Sequence, residues 1–314
     1  MKEYIIGKNE SGQRFDKYIF KLLKNAGTGL IFKQLRNKNI VLNGKKAKGN
    51  EILKENDSVR IFMSDDTINK FTGGPLHISK TGFRLDVIYE DDDILLASKP
   101  VGVLSQKSSD KDISMNEYLI EYLTDNGFGK ENLATFKPSF CNRLDRNTSG
   151  LMIAGKSLRG LQKMSEIIKD RSIHKFYLTI VKGIIDKKSA IKGYLRKDEK
   201  NNKVVIYDNP VKDSYEIHTE YEPLATRDDM TLLKVRLITG KTHQIRAHLA
   251  GISHPVLGDF KYGDKVFNEK YGEKKQLLHS YQVVFPKLDD FPDISEKSFN
   301  TPYPVNFTKY FKEN

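Results

Sequence analysis

Apolar residues recur at helical spacing in residues 14–23 (RFDKYIFKLL), where Phe15, Tyr18, Ile19 and Leu22 share one face. Residues 29–36 (GLIFKQLR) predict a second, shorter helix with a basic face that carries Arg36. The stretch IVLNGKKAK then sets β-branched residues before Asn43-Gly44, a tight-turn pair, with Lys45, Lys46 and Lys48 after it. LKENDSVRIF supplies another strand. From 63 to 83 periodicity fades around Gly73-Gly74-Pro75, and the segment reads as a linker.

Beyond residue 83 strands and helices of ordinary length take over. DVIYEDDDILLASKP reads as a strand pair ending at Lys99-Pro100, and Ser114 with Glu117 forms a capping box opening a helix that packs Tyr118, Leu119 and Tyr122. Residues 150–154 (GLMIA) read as a buried strand, and 157–169 as a helix with Leu161, Met164 and Ile168 inward. HKFYLTIVKG and TLLKVRLITG alternate as strands do. Strands and helices without a βαβ rhythm predict an α+β fold with a mixed, mostly antiparallel sheet. The division expected is 1–62, a linker over 63–83, and 84–314.

With 314 residues the chain can bury a core without staples. Its one cysteine, Cys141, excludes an internal disulfide and any multi-cysteine zinc site, and points to a reducing compartment. The first residues lack the apolar run of a signal peptide, and nothing reaches membrane-span length, so a cytoplasmic monomer free of membrane is expected. Net charge is +12, and residues 1–62, with fourteen Lys or Arg against six Asp or Glu, supply +8 of it. A polyanion is the natural partner of such a segment, because each neutralised phosphate releases counterions.

Several familiar chemistries fail. TGKTH lacks the glycine a phosphate loop needs five residues before Gly240, where Val235 stands. His243 and His248 are five apart, which does not stack them on one helical face, and no His-Glu-x-x-His or Gly-x-Ser-x-Gly occurs. Neither metal nor cofactor is expected. What remains is CNRLDRNTSGL, in which Asp145 stands between two arginines and ahead of small polar residues. Taken alone this is a turn; other segments change its meaning.

NRLDRNTSGL, KFYLTIVKG, TGKTHQIRAHL, HPVLGDFKYG and LLHS, preceded by SKPVGVLS, come in the order and approximate spacing of the RluA-type RNA pseudouridine synthases, which this chain resembles from 84 to 290. Residues 13–62 resemble the alpha-L RNA-binding domain first seen in ribosomal protein S-four. The resemblance implies isomerisation of uridine to pseudouridine in RNA, with large-subunit ribosomal RNA the favoured target. A transfer-RNA synthase and a catalytically silent ribosome-assembly factor are the alternatives. It further implies Asp145 as nucleophile, Arg246 as its ionic partner and Tyr177 as the active-site tyrosine. Leu278 would pack the base, Arg143 would enter the helix vacated by a flipped uridine, and Lys99 would belong to the substrate site. Lys45, Lys46, Lys48 and Arg36 would hold RNA phosphates. Two departures stand out: Asn142 replaces the usual histidine before Arg-Leu-Asp, and Lys241 replaces a common arginine.

Overall fold

The computed structural model describes residues 1–73, 80–129 and 133–311. Its N-terminal unit runs β1 (Lys2–Ile5), α1 (Phe15–Leu22), α2 (Thr28–Arg36), β2 (Ile40–Leu42), β3 (Lys45–Lys46), β4 (Ser58–Ile61) and α3 (Asp65–Thr72). The strands form an antiparallel sheet in the order β1-β4-β2-β3. Asn43 and Gly44 both have positive φ, 50° and 73°, as the two-residue turn between β2 and β3 requires. The apolar face of α1 is the core: Phe15, Tyr18, Ile19 and Leu22 are buried with Ile31, Leu35, Val59 and Ile61.

The expectation of a linker over 63–83 needs correction, because residues 65–72 are helical. Ser64 accepts the Thr67 N–H at the start of α3, and Ile68 and Phe71 pack on the N-terminal core. Two apolar residues in DDTINKFT are too few to show a period, so tertiary burial selects this helix. Residues 74–79 of the segment lie outside the described residues.

The second unit begins β5 (Asp86–Glu90), β6 (Ile94–Lys99), α4 (Met115–Asp125), β7 (Ser139–Phe140), β8 (Ser149–Gly155), α5 (Leu158–Lys169) and β9 (His174–Lys182). It continues β10 (Ser189–Asp198), β11 (Lys203–Tyr207), β12 (Tyr215–Arg227), β13 (Met230–Leu237), α6 (Gln244–Gly251), α7 (Lys265–Tyr271), β14 (Leu278–Val284), β15 (Ser298–Asn300) and α8 (Val305–Thr308). One sheet orders its strands β11-β10-β12-β13-β9-β14-β8-β6-β5, with β15 on β14 and β7 on β8. Every pairing is antiparallel except β8 with β14, so the sheet is mixed and mostly antiparallel.

That parallel join positions the site. Ser280 on β14 pairs with Gly150 on one side and Tyr177 on the other. Gly150 has φ 105°, and a Cβ there would come within 2.1 Å of the Ser280 carbonyl oxygen, so only glycine lets the strands approach. On one sheet face Leu95, Ala97, Met152 and Tyr177 share a core with Met115 and Leu119 of α4 and Ile245 and Leu249 of α6; on the other, Ile94, Leu96, Leu151 and Ile153 share one with Met164 and Ile167 of α5. Met164 and Ile167 of α5 point inward, while Ile168 is half-buried. The shift follows from Gly160, where a Cβ would meet the Asp93 carbonyl at 2.1 Å and which therefore turns the glycine side of the helix to the sheet.

The two units touch through the loop after β1. Asn9 Oδ1 accepts the Leu158 N–H at 2.9 Å, helping to cap α5, and the Thr135 hydroxyl donates to Glu10 Oε1 at 2.7 Å. Among the described residues no helix is long and apolar enough to cross a membrane.

Candidate active site

Asp145 sits in the turn between β7 and β8, and buried side chains hold that turn from below. The Ser105 hydroxyl donates to the Leu144 carbonyl at 2.8 Å and accepts the Leu144 N–H at 3.0 Å. Asn142 Oδ1 accepts the Ile153 N–H at 2.8 Å, a bond its shorter side chain makes in place of the expected histidine. Downstream, the Thr148 N–H closes the turn on the Asp145 carbonyl at 3.0 Å, and Gln276 Nε2 reaches Thr148 Oγ1 at 3.0 Å. With both ends pinned, the Asp145 side chain, 23 % exposed, faces a cleft of about 670 Å³.

Lys99 needs correction as a substrate residue. It is fully buried, and its ammonium donates to the carbonyls of Pro100, Val103 and Arg146 at 2.9, 2.8 and 3.0 Å. Burial pushes it down to about 7 while the nearby charge of Asp145 works the other way. Its work is to tie the loop after β6 to the Asp145 turn, so it supports the site from underneath.

Arg246 on α6 enters the cleft from the opposite wall and donates Nη1 to Asp145 Oδ2 at 2.8 Å. Its Nε and Nη2 form a fork on Asp259, 2.7 and 2.9 Å from the two carboxylate oxygens. Asp259 is held in turn by the N–H groups of Lys261 and Tyr262, at 2.8 and 3.1 Å. Burial works against these charges, yet each stabilises the other: Arg246 lies above its ordinary value and Asp259 below its own. The guanidinium is therefore fixed before any substrate arrives.

The remaining expected residues converge. Tyr177 on β9 and Leu278 at the start of β14 are each 5 % exposed and line the same cleft, as does the exposed Arg143. Burial, opposed by Ser280 and assisted by the charge of Asp145, pushes the Tyr177 phenol up to about 12, so it is a proton donor at neutral pH. Lys241 also lines the cleft, with its ammonium 3.9 Å from the centre of the exposed Tyr215 ring. Lys45, Lys46, Lys48 and Arg36 are exposed on the N-terminal unit and do not line the cleft.

Two neighbouring histidines are structural. His248 shares a hydrogen bond with Thr219 at 2.8 Å, and His279 lies between Ser149 and Thr301 at 2.8 and 2.6 Å. The sequence reading misses Asp259, Ser105 and His243, although the quoted segments HPVLGDFKYG, SKPVGVLS and TGKTHQIRAHL contain them. A buried arginine requires a second acid, and that need was the available signal for Asp259.

Residues 93–251 match the family model described as RNA pseudouridylate synthase. An uncharacterized RNA pseudouridine synthase of Mycoplasma genitalium is 31 % identical over 304 residues, covering 94 % of this chain and 93 % of that protein. The ribosomal large subunit pseudouridine synthase C of Pasteurella multocida is 28 % identical, covering 91 % and 86 %. In fold, the human RNA pseudouridylate synthase domain containing 4 superposes with a TM-score of 0.58 at 20 % identity, over 71 % of this chain and 90 % of that one. The family match lies over the very segment that brings Asp145, Tyr177 and Arg246 into one cleft, and the chain belongs to the RNA pseudouridylate synthase family, as an enzyme that isomerises uridine in RNA.

Proposed function

We propose that the enzyme acts on large-subunit ribosomal RNA, with Asp145 as the carboxylate that meets the sugar of a flipped-out uridine. The observation that carries the chemical part is the Arg246–Asp145 pair, 2.8 Å, at the meeting of Tyr177 and Leu278 in one cleft. The target rests on relatives named ribosomal large subunit pseudouridine synthase C.

The reaction breaks the N1–C1′ bond, turns the uracil, and joins C5 to C1′; the C5 proton is lost and N1 gains one, so there is no net redox change. As N1 leaves, C1′ becomes electron-poor, and an adjacent carboxylate stabilises or traps it, as in glycoside hydrolysis. Arg246 gives Asp145 an ionic partner when the substrate excludes water. Leu278 supplies an apolar surface for the base, and the Tyr177 hydroxyl is placed to move a proton near the sugar. Arg143 at the rim fills the place the uridine vacates. The N-terminal unit, in which α1 and α2 precede a basic β2–β3 turn, serves as an alpha-L-type RNA-binding domain; Lys45, Lys46, Lys48 and Arg36 meet phosphates.

Asp145→Asn tests the chemistry. Tritium release from 5-tritiated uridine in RNA is abolished while filter binding changes by no more than a few-fold; multiple turnover by this variant refutes the assignment. A pseudouridine map of ribosomal and transfer RNA from cells with and without the gene identifies the target. Loss confined to transfer RNA overturns the ribosomal reading.

A further inference from the structure

Behind Asp145 lies a second chain of contacts. Tyr262 follows Asp259 by three residues, and the Arg246 guanidinium lies 5.2 Å from its ring centre. Its hydroxyl accepts the backbone N–H of Val204 in β11 at 2.8 Å and meets His243 Nδ1 at 3.0 Å. Val204 donates into one lone pair of the oxygen, and the phenol's single proton is free to go to Nδ1. The neutral ring then carries its own proton on Nε2. Nε2 stands 3.9 Å from Asp145 Oδ2, the same oxygen that Arg246 reaches.

The backbone of His243 adds to this. Its φ and ψ of 57° and 11° are left-handed, at the residue that opens α6. A side chain in that conformation is uncommon and carries a strain that glycine would avoid. Burial, together with the cations Arg246 and Lys261, holds the imidazole below its ordinary value against the pull of Asp145 and Asp259, so the ring is a neutral donor at pH 7.

We propose that His243 is a positioning residue for Asp145: fixed at Nδ1 by Tyr262, it directs an N–H at Oδ2 and so leaves Oδ1 to face the sugar. The inference rests on Asp145 being the carboxylate that meets the sugar. A neutral donor aims the carboxylate without a second cation that would quench its reactivity. The 3.9 Å separation is longer than a hydrogen bond, and it closes when substrate fills the cleft, as catalytic contacts commonly do.

The test is the single-turnover rate of the full-length enzyme, in excess over a short stem-loop, with filter binding and thermal melting on each variant. His243→Ala lowers the rate by about tenfold to a hundredfold, with affinity within about twofold. His243→Gln, which offers an N–H at similar reach, recovers most of the loss. His243→Gly suits the left-handed backbone and opens a slot in which added imidazole restores the rate at least about threefold, with no such gain in the wild type. Tyr262→Phe keeps the ring under Arg246 and removes only the hydroxyl; its rate falls by about threefold to tenfold. An unchanged rate in His243→Ala overturns the proposal, and so does equal loss in Ala and Gln without rescue by imidazole. Should Ala fail to fold, Tyr262→Phe at full wild-type rate overturns it as well. Turnover by Asp145→Asn instead sinks the assignment of Asp145, whereas a dead Asp145→Asn beside a fully active His243→Ala removes only the role of His243.

Discussion

Arg246 grips Asp259 with two prongs, at 2.7 and 2.9 Å, and turns an N–H of Nη1 toward Asp145 at 2.8 Å. The side chain of Asp259 is wholly enclosed and that of Asp145 is 23 % exposed, so one carboxylate anchors the guanidinium while the other meets the cleft.

Arg246→Lys separates geometry from charge. An ammonium can sit near one acid but cannot hold the fork and a third contact together. The single-turnover rate falls at least about a hundredfold, and urea unfolding shows a loss of about 3 kcal/mol because Asp259 is left enclosed without its partner. Near-normal turnover by this variant means that the third contact is dispensable.

Lys99→Met tests support from below. The substitution keeps the volume but strips three carbonyls of their donor, at a cost of about 3 kcal/mol. Because those carbonyls tie the Asp145 turn, activity falls with stability, and RNA affinity changes little. A variant that is stable yet loses RNA binding would return Lys99 to the substrate site.

Stability rises with pH between about 4 and 6.5. Burial pushes His248 and His279 down to about 4 from 6.5, so over that window the unfolded chain holds protons that the native state refuses. The stabilisation is complete above the unfolded value and is lost as pH falls, at about 1.4 kcal/mol per pH unit for each histidine. Urea unfolding at a series of pH values measures the slope. His248→Asn, which keeps a partner for Thr219, reduces the slope by one histidine's share; an unaltered slope shows that other groups govern the acid limb.

The β2–β3 turn governs salt dependence. If Lys45, Lys46 and Lys48 each neutralise a phosphate, replacing all three with Gln lowers the log-log salt slope of RNA binding by about 2 to 2.7. The maximal rate on a saturating short stem-loop is unaffected, since the cleft lies elsewhere. Filter binding across a potassium chloride series reads the slope; no change would make the turn an ordinary solvated surface.

Much of the architecture is visible in the chain. Asn43-Gly44, the capping box at Ser114 and Glu117, and the alternation of HKFYLTIVKG each encode their element locally, and each is found. Asp145 and Arg246 stand 101 residues apart, and their meeting follows from family motifs rather than from any period. Asp259 escapes because its partner is chosen in three dimensions. Lys99 was readable by parity: it follows Leu95 and Ala97 on one face of β6, and that face is core, so its ammonium had to turn inward. For α3, burial of Ile68 decides what eight mostly polar residues leave open.

Asn9 is made 149 residues before Leu158, the backbone it caps. At roughly 5 to 20 residues per second, that is a wait on the order of ten seconds during synthesis. The N-terminal unit has its own core and its own sheet, so it can close while the rest is still being assembled. Its docking loop meets Thr135 first, and the grip of Asn9 on Leu158 has to wait until α5 emerges. A chain halted before residue 158 displays its basic turn with the catalytic cleft still unbuilt.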